Sequence, residues 1–469
     1  MCHSSPVDLT DTAGEPVITR STPQQRELQR KWYWYDWACS AFVTATMTVL
    51  FGPYVTALAN KAACPTQPTD DECLRDLHVL GVPIPPGSLV AYTLTVSTIV
   101  SAVILLFIGA IADRSPRPTR LLGLFTLVGG LAATSMFFLE GDNWQLAVLL
   151  VIVANLSLGG SLVVYSALMI RITPPNDRDR VSTVGWSFGY LGGGLMLAVA
   201  LAFLSFHEQL GLSLSMTVRI VFAAGGIWWI VFGLIPVLGL KDVPGSANPR
   251  GREPVIRGSL TQLKQTFGEL RGYPQTMRFL IAYLFYNDGI QTVIAAAALY
   301  GALELDFSEN QLFITILVVQ FVAFFGALLF GRLARTRGSR QLILLSLVLW
   351  TGVVCVAFFV PKGAFGPWLL LAVGIGIVMG GSQSLSRSLF SHLIPHGRES
   401  EFFSLYQAME RGTSWLGTFV FGLVYQLFHN YRLSIIALIV FFAVGGALLR
   451  TVDVRKGISD VGNEVPQVI

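Results

Sequence analysis

The sequence predicts an all-α integral membrane protein. Twelve spanning helices fall in two pseudo-symmetric six-helix halves, with both termini cytoplasmic. Three observations predict this. First, 53 % of the 469 residues are hydrophobic and only 13 % are charged, against about 25 % charged in soluble chains. Charge-poor runs of about 20 residues, enough to cross a bilayer as a helix, recur from end to end. The polar faces that the outer helices of a soluble bundle need are missing. Second, the chain has 32 lysines and arginines. When it is threaded twelve times through a membrane, only Lys61, Arg75, Arg219, Lys362 and Arg432 fall on one side. The rest gather on or near the other, which marks it as the cytoplasmic side. A wrong segment count would scramble this bias. Third, the chain repeats itself. Aligning Asp36 with Asp288 sets Ser40 on Thr292. The turn at Gly109–Arg120 is echoed at Gly331–Arg340, and Gly159-Gly160-Ser161 with Pro174 is echoed by Gly380-Gly381-Ser382 with Pro395. Three matches in one order indicate duplicated halves.

The expected segments are 32–59, 88–112, 120–139, 144–172, 181–205, 215–239, 277–302, 309–334, 341–360, 367–391, 401–427 and 432–450. They group as a polar, disordered cytoplasmic tail 1–31, a first half 32–239, a cytoplasmic linker 240–276, a second half 277–450 and a cytoplasmic tail 451–469. The linker is basic, contains Pro244 and Pro254, and offers a short amphipathic helix around Ser259–Leu270.

The first segment opens on Trp32, Tyr33, Trp34, Tyr35 and Trp37, residues that gather at membrane interfaces. Asp36 admits two readings, an interfacial acid that needs no burial and a coupling or gating acid. The following outward loop holds Cys64 and Cys73, a candidate disulfide if that side is oxidising. The second segment ends in a tight turn carrying Gly109, Asp113, Arg114 and Arg117. Gly109 permits close helix approach, and Asp113 can bind nearby amides or an arginine of a neighbouring helix. The plainer reading is a basic anchoring loop. The third segment carries no candidate. In the fourth, Asn155 lies near mid-membrane, where polar groups seek a partner or a ligand, and Tyr165 follows it. The fifth contains Gly185, Gly189, Gly192, Gly193 and Gly194, read as a packing and rocking surface, with Trp186 and Tyr190 toward a cavity. In the sixth, Arg219 sits near the outer end.

The seventh segment carries the most informative stretch, Ala282–Gln291. Asp288 stands in an otherwise apolar run, with Gln291 and Thr292 on its face. A carboxylate in hydrocarbon is costly and reads as functional by default. Asn287 precedes it. The eighth segment has Gln320, the tenth has Gln383 and Arg387, and the eleventh has Glu410 and Arg411. Glu410 and Arg411 are neighbours in sequence and point apart, so cross-helix pairs are expected: Glu410 or Asp36 with Arg387, or Arg411 with another acid. Such pairs are either permanent or make and break as gates.

No His, Cys, Asp or Glu cluster has metal-ligand spacing, so no metal or other cofactor is expected. No glycine-rich phosphate loop with a lysine appears, so ATP drive is not expected. Nothing points to nucleic acid. An enzyme would want a histidine or acid cluster at one interface, which is missing.

The Gly109–Arg120 turn resembles the signature cytoplasmic loop of the major facilitator superfamily, although its second copy carries Arg335 where the first has Asp113. Tyr35-Asp36-Trp37-Ala38-Cys39-Ser40-Ala41-Phe42, Tyr286-Asn287-Asp288-Gly289, and Gly380–Pro395 with Arg398-Glu399-Ser400-Glu401-Phe402-Phe403 resemble a bacterial branch of that superfamily. This branch is related to the yeast vacuolar amino-acid effluxer of autophagy. It usually has asparagine where this chain has Cys39. The resemblance implies export of amino acids or similar small metabolites across a bacterial cell membrane.

The leading expectation is therefore a secondary transporter working by alternating access, with the lipid bilayer, a small-molecule substrate and protons as its partners. Asp288, Glu410 and Asp36 are the proton-coupling candidates. Asn155, Tyr165, Trp186, Tyr190, Asn287, Gln291, Gln320, Gln383, Arg387 and Arg411 are the substrate-binding candidates. The alternatives are an exporter of amphipathic drugs or lipids, compatible with 31 Phe and 10 Trp, and a non-transporting sensor with the carrier fold.

Overall fold

The computed structural model describes residues 20–65, 73, 75–79, 81–245, 268, 270–412 and 414–469. They are almost entirely helical: α1 (Pro23–Ala63), α2 (Leu89–Arg114), α3 (Pro118–Ser135), α4 (Trp144–Ile172), α5 (Arg178–Ser205), α6 (Leu214–Gly239), α7 (Pro274–Leu303), α8 (Glu309–Arg337), α9 (Ser339–Phe359), α10 (Phe365–His392), α11 (Glu399–Gly412), α12 (Ser414–Phe428), α13 (Tyr431–Thr451) and α14 (Val454–Asp460). A short antiparallel ribbon pairs Leu77–Val79 with Val82–Ile84. Cys64 and Cys73, in the same loop, are joined by a disulfide.

Among the described residues, eleven helices are long and apolar enough to cross a membrane, one fewer than the twelve segments expected. The remaining expected segment, 401–427, contains residue 413, which lies outside the described residues, so it is described in two parts, α11 and α12. Glu399, Glu401, Gln407, Glu410 and Arg411 make α11 too polar to face lipid. It packs instead against α2, α4 and α7, and most of it is buried.

The first helix begins earlier than expected. The Thr22 hydroxyl accepts from the Gln25 amide (3.2 Å), and the Gln25 side chain accepts from the Thr22 amide (2.9 Å). This capping box satisfies two orphan donors, and Pro23 at the first helical position loses nothing by lacking an N–H. Residues 23–31, expected in a disordered tail, are therefore helical, while 1–19 lie outside the described residues. Further on, α1 widens to π geometry over Phe42–Leu50, and the Thr48 hydroxyl donates to the Val43 carbonyl 2.9 Å away. The expected linker is described only near its ends. Apart from residues 268 and 270, the amphipathic helix expected at Ser259–Leu270 lies outside the described residues. At the other terminus, Val454, Ile458 and Val461 form a buried stripe at helical spacing, so the tail packs onto the bundle.

Buried side chains form two main cores. One draws on residues from Trp32 to Val243, the other on residues from Phe279 to Ile458 together with Ala167 and Tyr190. Outside both lies a belt of exposed apolar side chains, including Tyr92, Ile99, Leu131, Leu149, Phe325, Leu370 and Val440. A belt of that extent suits hydrocarbon rather than water. The two sets of helices meet where α5 touches α8 and α10, and where α2 and α4 touch α11.

The glycines of α5 mostly serve a different contact from the one expected. Gly185, Gly189, Gly192 and Gly193 lie against Trp32, Asp36, Trp37, Ser40 and Thr44 of α1. They seat α1 within its own core. Gly194 faces the other set, against Gln320 and Phe321 of α8, and Gly185 also meets Arg387 of α10. The reason is steric: the wide aromatic face of α1 needs the space that four missing side chains provide.

A charged and polar seam between the two helix sets

At the seam's centre, Asp36 of α1 meets Arg387 of α10. Asp36 is 7 % exposed and Arg387 is 4 % exposed. Both terminal nitrogens of Arg387 donate to Asp36 Oδ2 at 3.2 Å, and the Tyr165 hydroxyl donates to the same oxygen at 2.8 Å. Arg387 Nε donates to the Ser182 hydroxyl and Nη2 to the Ser182 carbonyl, both at 3.0 Å. The guanidinium also lies 5.1–5.5 Å from the ring centroids of Trp32, Tyr165 and Trp186. A desolvated cation gains most from such faces. Four of the five N–H donors of Arg387 are thus taken up by Asp36 and Ser182.

Around this pair, polar side chains bridge the two sets. The Tyr190 hydroxyl donates to Gln383 Oε1 (2.7 Å), whose amide donates to Gln291 Oε1 (3.2 Å). Gln320 Nε2 donates to the Thr44 hydroxyl (3.0 Å) in the π segment of α1. Arg411 Nη1 donates to Asn155 Oδ1 (2.6 Å), and Asn155 Nδ2 donates to the Ser97 hydroxyl (2.9 Å). Glu410 does not reach Arg387. It accepts from the Tyr283 hydroxyl (3.2 Å) and from Gln407 Nε2 (2.9 Å). Several polar atoms here are buried without a partner: Trp186 Nε1, Gln320 Oε1 and Gln407 Oε1. Buried polar groups normally find one.

Asp288 stands apart from this seam. It is 1 % exposed, and its Oδ2 accepts from the Gly417 amide at 2.7 Å. Asp288 thus ties α7 to α12. Asn287 is buried beside it.

At the arginine-rich end the two sets are latched. Asp113 of α2 accepts from the amides of Ser400 and Glu401 at 2.9 Å each, an anion on a helix N-terminus. Arg171 lies 3.4 Å from Glu399 and 3.7 Å from Asp113. Arg178 donates to the Ser391 carbonyl (2.9 Å) and Ser182 to the Ser384 carbonyl (2.7 Å). A methyl at Gly109 would sit 2.6 Å from the Ser404 side chain, so that glycine lets α2 touch α11. Arg117 is exposed at the turn, and Arg114 is half-buried beside it.

Sequence reasoning missed Ser182, Arg171, Glu399 and Tyr283. Ser182 lies one helical turn before Trp186 and shares its face, a signal that was available. Tyr283 precedes Asn287 by the same spacing. The Arg171–Glu399 pair joins segments far apart in sequence and left no local sign.

Membrane-length helices in two sets, a buried acid–arginine pair between them and a latched basic end describe a major facilitator carrier. Such carriers are not enzymes: they move a solute by exposing one site alternately to the two sides of the membrane. The chain belongs, more particularly, to the Atg22-like vacuole effluxer family, whose profile matches residues 24–175 and 173–462. It is 26 % identical to an uncharacterized MFS-type transporter, YxiO of Bacillus subtilis, over 96 % of this chain and 100 % of that one. It is also 26 % identical to autophagy-related protein 22 of Eremothecium gossypii, over 91 % of this chain and 90 % of that one. Among solved structures, a bacterial homologue of the iron transporter ferroportin in an outward-facing state superposes with a TM-score of 0.63 at 13 % identity, covering 92 % of this chain and 99 % of that one. At that identity the likeness speaks for the fold alone. The protein is a multi-pass membrane carrier, a secondary transporter of the alternating-access type.

Proposed function

We propose that this carrier exports a small zwitterionic metabolite, an amino acid first of all, in exchange for protons. The reading takes α11 and α12 together as one span. That makes twelve spans in two related halves, with the arginine-rich end and both termini in the cytoplasm. The latch closes that end and so favours an outward-facing state for this arrangement.

The observation that carries the reading is the unmet hydrogen-bonding capacity between the halves. Trp186 Nε1, Gln320 Oε1 and Gln407 Oε1 lack partners, and Arg411 and Glu410 bring both signs of charge to the same region. A zwitterion carries an anion, a cation and donors within a few ångströms, which suits such a lining. The family's printed description as an effluxer supports the direction. Asp288, buried without an arginine, is the coupling acid. Asp36 is held by Arg387 and serves as the inter-half gate, with Glu410 between the two roles.

The test is counterflow of labelled neutral amino acids in proteoliposomes, with and without a pH gradient. Saturable counterflow stimulated by the gradient is expected, and Asp288→Asn should keep a folded carrier while removing the stimulation. If pH dependence survives that change, Asp288 is not the coupling acid. If no amino acid exchanges while amphipathic cations do, the substrate class is wrong.

A further inference from the structure

Arg171 of the latch also lines a cavity of about 450 Å³, together with Thr173, Arg178, His396, Asn463 and Glu464. The walls come from both helix sets and from the C-terminal tail. Arg171 lies at the end of α4 and Arg178 opens α5, His396 stands between α10 and α11, and Asn463 follows α14. Three polar atoms of these wall residues are buried without a partner: Thr173 Oγ1, Arg178 Nε and Asn463 Oδ1. Thr173 is 3 % exposed and Arg178 is 4 % exposed. Arg178 Nη1 donates to the Ser391 carbonyl, and among the described residues Arg178 forms no ion pair. We propose that this cavity binds a phosphate group, as inorganic phosphate or as a small phosphate ester that carries its own hydroxyl.

Charge comes first. An unpaired buried cation is expensive. Arg171 already faces Glu399 and Asp113, whereas Arg178 meets a neutral carbonyl, so the cavity calls for an anion. Hydrogen bonding narrows the choice. Arg178 Nε and the Thr173 hydroxyl can donate, but Asn463 Oδ1 can only accept. The Asn463 amide nitrogen is taken by the carbonyls of His392 and Ile394. The ligand must therefore be an anion that also has a hydroxyl to donate. A bare carboxylate or sulfate has none at neutral pH, whereas inorganic phosphate keeps a proton there. Glu464 and His396 are exposed at the rim. Water screens the repulsion of the Glu464 carboxylate, which can accept from the same hydroxyl. The volume falls within the range of small-molecule sites and leaves room for an ester. Because the walls belong to both helix sets and the tail, a bound phosphate ties the tail to α4 and α5 and favours the closed basic end.

The purified carrier is melted in sodium sulfate and in sodium phosphate at one pH and one ionic strength. Both anions strengthen apolar burial in general, so sulfate is the reference. Phosphate should raise the midpoint several degrees above sulfate and the rise should saturate, as it does for a ligand of the native state. Thr173→Val, similar in size but lacking the hydroxyl, should lose much of that difference, and Arg178→Lys, which lacks the Nε donor, nearly all of it. Equal wild-type midpoints in the two salts overturn the proposal, as does a difference that both variants keep. Should the variants fail to fold, equilibrium dialysis of the wild-type carrier against radioactive phosphate replaces them. Stoichiometric binding displaced by phosphate and not by sulfate supports the site. No binding, or equal displacement by sulfate, overturns it. Glycerol phosphate separates the two sources: displacement at lower concentration than inorganic phosphate assigns the site to an ester, and displacement only at higher concentration assigns it to the free ion.

Discussion

Arg387 shows how much one side chain can be asked to do in a low-dielectric interior. Its fork spans Asp36 and Ser182 while three aromatic faces surround it, a geometry that lysine cannot copy. Removing one partner strands the other. Arg387→Met should therefore destabilise the carrier by about 3–5 kcal/mol. Adding Asp36→Asn to it should restore much of that loss, because the stranded carboxylate is gone. Thermal melts of the two single variants and the double variant measure the coupling directly. A double variant no better than Arg387→Met alone would mean that the pair contributes little as a pair. Asp36 with Arg387 was one of the pairings the sequence left open, since an acid and an arginine inside apolar segments must find opposite charge. The cage was not legible. Trp32 reads as an interfacial aromatic, and nothing local says that its ring faces a guanidinium. Nor could the sequence reveal that Asp288 meets the Gly417 amide, because the two lie 129 residues apart.

Single helices were easier to read than their contacts. The glycine run of α5 announced a close-packed face, but period alone cannot name the helix that uses it. The partner is α1, where a methyl on Gly192 would come within 2.6 Å of the Trp37 carbonyl oxygen and 3.0 Å of its Cα. Backbone cannot swing aside as a side-chain tip can. Gly192→Ala should therefore push α1 from α5 at a cost of about 1–3 kcal/mol, read as a lower melting midpoint in detergent. Gly352, with nothing within 4 Å of the added methyl, makes a fair control, and Gly352→Ala should be neutral or slightly stabilising. An equal loss at both sites would dismiss the contact argument. That the eleventh segment shelters a polar half was hidden for a related reason. Its apolar second part and polar first part average to a passable span, and only the packing of α11 among α2, α4 and α7 shows that the polar part never meets lipid.

Across the whole molecule, the basic end is closed by more than the Asp113 latch. The C-terminal tail crosses it. Gln275 Oε1 accepts from the Asp453 amide (2.9 Å), and Gly457 lies against Gln275 and Leu393. The Asn463 amide donates to the carbonyls of His392 and Ile394 at 2.8 Å each. The tail then reaches the other helix set, where the Gln467 amide donates to Asn176 Oδ1 at 3.0 Å. A segment anchored on both sets favours the state in which they touch at this end, by the differential contacts it makes there. Each hydrogen bond is worth only about 0.5–1.5 kcal/mol net, yet a shift of that size moves a balanced two-state carrier several-fold. Deleting residues 462–469 should thus open the basic end more often. A cysteine placed at Ser384, where the Ser182 hydroxyl now meets the Ser384 carbonyl, reports this. Its labelling by an impermeant maleimide from the basic side should rise on deletion while the melting midpoint changes little. Unchanged labelling would reduce the tail to a passive cover and leave the Asp113 contacts as the closure of that end.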